Sequence, residues 1–221
     1  MAAKGEYPAV YEMGLYVNRY CLILFTPLAL ALCLYGKEFL QLWIRPDFAL
    51  QSAPIIPVIA VCTTLGIAGQ FNSSSILYGL GKHRGYSHSL LVEAILGMIA
   101  MYLAIPRFGI MGAAWVTSVL MVLNRGLFTS WLFCGALGRN FGEYLRGIYA
   151  GPILIAIPVF AGGWWIKLHW LAGRTWVQLL TGMGLLAIVY YGLAFFICLK
   201  KEHQTMAWQW VHARLHGGGA G

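Results

Sequence analysis

Six long apolar runs fill this chain, at about residues 16–35, 53–80, 88–105, 110–134, 148–166 and 176–199. Only three Asp, Glu, Lys or Arg side chains stand inside them: Arg19, Glu93 and Arg125. Each run approaches or exceeds the roughly 20 residues that a helix needs to cross a hydrocarbon slab about 30 Å thick. Lipid offers the backbone no hydrogen-bond partners, so such segments must satisfy their own bonds as helices. The sequence therefore predicts an all-α, polytopic membrane helix bundle with six transmembrane helices. Composition removes the soluble alternative. Charged residues make up 10% of the 221, against about 25% in soluble domains. The runs are also apolar on nearly every face rather than striped.

Prolines punctuate the runs. Pro54 and Pro57 open the second helix, Pro106 stops the third, Pro27 kinks the first, and Pro152 and Pro158 sit within the fifth. The net charge of +8 argues for topology rather than for nucleic acid, because its cations cluster in short loops. One side of the bundle would hold Lys4, Lys82, Arg84, Arg139, Arg146, Lys200, Lys201 and Arg214; the other holds Lys37, Arg45, Arg107, Lys167 and Arg174. The richer side, with both termini, is expected in the cytoplasm. Trp43, Trp164, Trp165, Trp170 and Trp176 gather on the opposite side, where amphipathic rings favour the headgroup layer. Residues 201–221 form a cytoplasmic tail, in which 202–216 suits a short helix lying on the membrane surface.

Chemistry has little to work with. The five cysteines form no C-x-x-C pair and read as small packing residues. No phosphate-binding P-loop, H-E-x-x-H or G-x-S-x-G pattern occurs. With seven acidic residues, paired-carboxylate catalysis is poorly provided for. The expectation is a non-enzyme with no cofactor and no metal.

Function must then lie in the polar groups inside the runs, since a charge at bilayer depth costs at least about 2.5–3.5 kcal/mol. Gln70, Asn72 and Ser73 fall near the cytoplasmic end of the second helix, Glu93 in the third, Asn124 and Arg125 in the fourth, and Arg19 at the start of the first. Counted at 1.5 Å per residue, all fall in the cytoplasmic half. On a straight helix Ser118, Val122, Arg125 and Thr129 share a face, as do Gln70, Ser73, Ser74 and Leu77. One reading is a polar cavity open to the cytoplasm, in which Arg125 and Arg19 hold an anionic headgroup and Glu93 serves as counter-ion to Arg125 or as a titrating group for ion coupling. The competing reading is structural: a buried Arg125–Glu93 pair, a snorkelling Arg19, and an Asn-Ser run that glues helices together.

Three short patterns occur in order. The first helix carries Arg19 and Pro27 and ends in Gly36-Lys37-Glu38-Phe39-Leu40-Gln41-Leu42-Trp43; the second begins at Pro54 and ends in Leu77-Tyr78-Gly79-Leu80-Gly81-Lys82. Pro106-Arg107-Phe108-Gly109 then leads into Ile110-Met111-Gly112-Ala113-Ala114-Trp115. Over about residues 1–140, four helices, this order resembles the C-terminal lobe of bacterial polysaccharide exporters. Those are the O-antigen and lipid-linked oligosaccharide flippases of the superfamily that also holds the MATE multidrug transporters. The two helices of 141–200 match in number and character only.

The resemblance implies a transporter of 12 to 14 helices in two lobes, about twice this length. It identifies this chain as a C-terminal fragment lacking its N-terminal lobe, with Met1 an internal start or the edge of a truncated gene. It also implies a bacterial inner-membrane location, membrane lipids as neighbours, and an undecaprenyl-diphosphate-linked oligosaccharide as substrate, flipped between leaflets for polysaccharide biosynthesis. Glu93 departs from the family pattern. The alternatives are a multidrug/ion antiporter of the same superfamily, a membrane-embedded polysaccharide polymerase or transferase, and a non-catalytic assembly subunit.

Overall fold

The computed structural model describes residues 7–44, 46–170, 172, 175–199 and 205. The tail at 201–221, and Lys4, Arg45, Arg174, Lys200, Lys201 and Arg214 of the charge argument, lie outside the described residues apart from position 205. Within them the chain is helical, with no strand. The helices are α1 (Tyr7–Trp43), α2 (Pro46–Ser52), α3 (Ile55–Gln70), α4 (Ser73–Gly79), α5 (Arg84–Met121), a π-helical segment (Val122–Phe128), α6 (Thr129–Leu137), α7 (Phe141–His169) and α8 (Trp176–Cys198).

Among the described residues, five helical stretches are long and apolar enough to cross a membrane: Tyr7–Trp43, Ile55–Gly79, Arg84–Leu137, Phe141–His169 and Trp176–Cys198. The third has 54 residues, which would measure about 80 Å if straight. It is not straight. Gly109 adopts φ 58°, ψ −144°, a conformation essentially confined to glycine. The two arms fold back against each other there: Arg125 pairs with Glu93, an added Cβ at Gly97 would touch Leu120, and one at Gly112 would meet the carbonyl of Ala104. The runs 88–105 and 110–134 are these two arms. Pro106 is not the stop that the sequence suggested, for the helix continues past it to Gly109. A proline removes only one donor, whereas reversing the chain needs a residue that tolerates positive φ.

α1 is the trunk of the bundle. Half of its most apolar window is buried, against 6% for that of the hairpin Arg84–Leu137. Its upper part (Ile23, Leu34, Tyr35) packs with Ile155 and Val159 of α7 and Leu179, Leu186 and Tyr190 of α8. Its lower part (Val10, Leu22) packs with Ala68, Ile76, Phe133, Tyr144 and Ile148. α1 runs unbroken through Pro27.

In lipid the hydrophobic effect does not drive helices together, so close packing and polar contacts must. Glycine provides the closest approach. A Cβ on Gly69 of α3 would sit 2.4 Å from the carbonyl oxygen of Gly126, and one on Gly66 would be 2.9 Å from Met121 Cγ. Side chains cap both later helices: Asn140 accepts from the Glu143 amide to start α7, and Thr175 from that of Gln178 to start α8. Gly138, at φ 64°, closes α6.

The two ends carry different side chains. At one, Phe39 touches both Trp43 and Trp176, and Lys167 pairs with Glu38 at 2.7 Å. Trp43, Trp164, Trp165, Trp170 and Trp176 are all exposed. At the other, Lys82 donates to the carbonyl of Ala136, and the Arg139 guanidinium lies over the ring of Tyr11.

Candidate functional site

The seven polar residues singled out in the sequence do not share one hollow. They fall into three sets, with Gln70 apart from all of them.

Asn72 and Ser73 belong to a sealed network. The helix breaks between α3 and α4 at Phe71 and Asn72, so the proposed stripe Gln70–Ser73–Ser74–Leu77 is not a single α-helical face. The break frees the Asn72 amide, which donates to Asn18 Oδ1 at 2.8 Å. The Asn18 amide group lies 3.2 Å from the Gly69 carbonyl oxygen, 2.9 Å from Ser73 Oγ and 3.0 Å from the Tyr144 hydroxyl. Ser130 Oγ donates to the carbonyls of Gly126 and Gly69. Asn18, Ser73, Ser130 and Tyr144 are fully buried. A polar group sealed from water must find its partners inside the protein, and these four tie α1, α3, α4, α6 and α7 together. Of the Asn-Ser run, Ser73 and the Asn72 backbone amide take part in this bonding between helices, while Ser74 bonds back to the Gln70 carbonyl. Gln70 lies to one side, donating to the Tyr86 hydroxyl of α5.

Arg19 is held by two backbone carbonyls and a ring. It donates through Nε to the carbonyl of Gly147 and through Nη1 to that of Cys198 at 3.5 Å, and it lies beside the ring of Tyr16. Cys198 ends α8, where the last carbonyls lack partners within the helix. Arg19 thus fastens α1 to α7 and α8 and is not brought together with Arg125.

Glu93, Asn124 and Arg125 do meet, between the arms of the hairpin. Asn124 Nδ2 donates to Glu93 Oε2 at 2.6 Å and to the Ser89 carbonyl at 3.3 Å. Arg125 Nε stands 3.4 Å from Glu93 Oε1, an ion pair without a hydrogen bond at that nitrogen. Glu93 lies in α5, and Asn124 and Arg125 lie in the π-helical segment. Its wider turn breaks the α phase assumed for Ser118, Val122, Arg125 and Thr129, and Thr129 Oγ1 donates five residues back, to the Asn124 carbonyl. Ser118 and Thr129 are buried, whereas the Arg125 side chain is 38% exposed and that of Glu93 15%.

Two open grooves flank Glu93. One, of about 370 Å³, is lined by Arg125, Thr117, Leu90, Gly97 and Met101 among others; the second, of about 530 Å³, by Asn124, His88, Ser89, Leu96 and Phe128. Glu93 borders both. Their walls are mainly apolar, so what they offer is a greasy channel with a charge pair set in it. Among the described residues no group of three or more His, Cys, Asp or Glu comes together as metal ligands.

Sequence reasoning missed Asn18 and Tyr144. Asn18 was legible as an amide in an apolar run, but the charged neighbour Arg19 drew the attention. Nothing in the sequence marks Tyr144 out from the chain's other tyrosines.

The chain is 33% identical over 117 residues to an uncharacterized membrane protein of Methanocaldococcus jannaschii. That stretch is 52% of this chain and 21% of the relative, which is much the longer protein. No family model matches the chain, and no solved structure matches it. The fold and the relative together define a multi-pass membrane protein of helical bundle type.

Proposed function

We propose that this chain is one half of a carrier that moves a polyprenyl-diphosphate-linked oligosaccharide across the bacterial cytoplasmic membrane, and that it is not an enzyme. In this reading the arms of the hairpin cross separately. The chain then has six crossings, with both termini in the cytoplasm. A second lobe completes the translocation path, because alternating access requires two bundles that move about a shared site.

One observation carries the reading: Arg125, its side chain 38% exposed, is paired with a single carboxylate on the wall of a mainly apolar groove, within a stretch long and apolar enough to cross a membrane. A guanidinium keeps its charge at any depth and matches phosphate oxygens bidentately. An apolar groove around such a group suits a ligand with an anionic head and a hydrocarbon tail. The motifs at residues 36–43, 77–82 and 106–115 support the exporter class, and the greater length of the archaeal relative suits a two-lobed protein. Arg19, Asn72 and Ser73 drop out as ligand contacts and remain as structure.

The test is replacement of Arg125 by alanine in the full-length carrier in its own host. At wild-type protein abundance, the expected result is loss of surface polysaccharide with lipid-linked saccharide accumulating inside. Normal export by that variant would overturn the assignment.

A further inference from the structure

The carboxylate beside Arg125 does more than neutralise it. Glu93 is aimed at the guanidinium from the facing arm, and it is fixed there because Asn124 holds its second oxygen at 2.6 Å. It occupies the edge from which the groove beside Leu90, Gly97 and Met101 reaches Arg125. Yet the pair is incomplete: the oxygen stands 3.4 Å from Nε, and that nitrogen, buried, makes no hydrogen bond. A buried donor left in this state favours any better acceptor that reaches it. An oxygen of a phosphate or diphosphate ester is such an acceptor.

We propose that Glu93 is a built-in competitor for the Arg125 site, a carboxylate that an incoming lipid phosphate must displace, and that its presence keeps affinity low enough for release. This deepens the reading of Arg125 as the headgroup contact and rests on it. A carrier has to let go of its cargo, and a fixed internal anion supplies a replacement partner at the moment the phosphate leaves. Without it, departure would strand an unpaired guanidinium at bilayer depth, which is costly. Asn124 is then a positioning residue, holding Glu93 so that its displacement is reversible. The other charged or titratable groups near the pair, His88 at the second groove and Tyr86 on the same arm, do not contact Arg125 through a hydrogen bond or ion pair among the described residues.

The experiment measures binding of a short isoprenoid diphosphate, geranylgeranyl diphosphate, to the purified 221-residue chain in detergent. Inorganic diphosphate serves in parallel, to separate a lipid-borne phosphate from a free one. The variants are Glu93→Gln, Glu93→Ala and Arg125→Ala, each checked for a monodisperse, helical state. Removing a close competing charge should tighten binding of the isoprenoid diphosphate by roughly tenfold or more in both Glu93 variants, with faster association and slower release. Arg125→Ala should abolish binding, and inorganic diphosphate should bind weakly throughout. If Arg125→Ala abolishes binding but neither Glu93 variant tightens it, the competitor role is wrong while the headgroup role stands. If Arg125→Ala binds as the wild type does, the headgroup role itself fails. Equal tightening of inorganic diphosphate would overturn the lipid-borne source. Should one Glu93 variant misfold, the other still decides the question.

Discussion

Alanine in place of Gly69 should loosen the bundle, although the same substitution normally favours a helix. The added Cβ would lie 2.4 Å from the carbonyl oxygen of Gly126, 2.7 Å from its Cα and 2.9 Å from its carbonyl carbon. These are backbone atoms, so no side chain can swing away. Restoring ordinary contact, near 3.4 Å, means parting α3 from the π-helical segment by about 1 Å. Overpacking of this kind costs about 1–3 kcal/mol. The Gly69 carbonyl also receives Asn18 Nδ2 at 3.2 Å and Ser130 Oγ at 3.3 Å, and each weakened bond forfeits on the order of 1 kcal/mol. Against this, alanine gains about 1 kcal/mol of helix propensity over glycine. The net loss is roughly 2–4 kcal/mol. Gly184 in α8 is the control, for a Cβ there meets nothing within 4 Å. Gly184→Ala should be neutral or stabilising by up to about 1 kcal/mol. The two variants should thus differ by about 3 kcal/mol, on the order of a hundredfold in the folded-to-unfolded ratio. Equilibrium unfolding in mixed micelles of a mild detergent and dodecyl sulfate, followed by helicity, measures this. If Gly69→Ala is as stable as Gly184→Ala, the close contact of α3 with residue 126 is not as described.

The buried network yields a graded pair. Asn18→Ala strands the Asn72 amide and leaves Ser73 and Tyr144 only their bond to each other at 3.0 Å, and should cost about 3 kcal/mol, whereas Tyr144→Phe leaves Asn18 its other acceptors and should cost about 1 kcal/mol; the reverse order in the same titration would discredit the network. Glu38 and Lys167 are each 18% exposed and 2.7 Å apart. Glu38→Gln or Lys167→Met alone should therefore destabilise more than the two combined, and a double-mutant cycle with no coupling would contradict that. Thr175→Ala removes the cap on the Gln178 amide and should cost about 1 kcal/mol, visible as faster amide exchange at residues 176–179; unchanged exchange would refute the cap.

How far the sequence could be read depended on whether the relevant physics was local. Run length and apolarity are local, so the membrane helices were legible, and the two arms of Arg84–Leu137 matched the runs read as third and fourth helices. The position of the reversal was less legible, because Pro106 and Gly109 both break helices and only backbone torsion tells which one turns the chain. Glu93, Asn124 and Arg125 were legible as polar groups within apolar runs, and these three do meet. Facing was not legible. The break at Phe71–Asn72 and the π-helical turn at Val122–Phe128 each shift the helical phase, so stripes drawn with a constant period failed beyond them. The role of Arg19 depended on the carbonyls of Gly147 and Cys198, more than a hundred positions away, and no spacing rule reaches that far.

The position of α1 has a consequence for how the molecule assembles. α3, α7 and α8 all rest on it, and it precedes each of them in the chain. During synthesis the mast is therefore raised before the yards, and α3, α7 and α8, leaving the ribosome later, each meet a docking face already in place. Damage to that mast, at Gly14 against Phe133 or at Gly36 against Ile56, would be felt by all its tenants at once, whereas a fault in α8 would stay with its immediate neighbours.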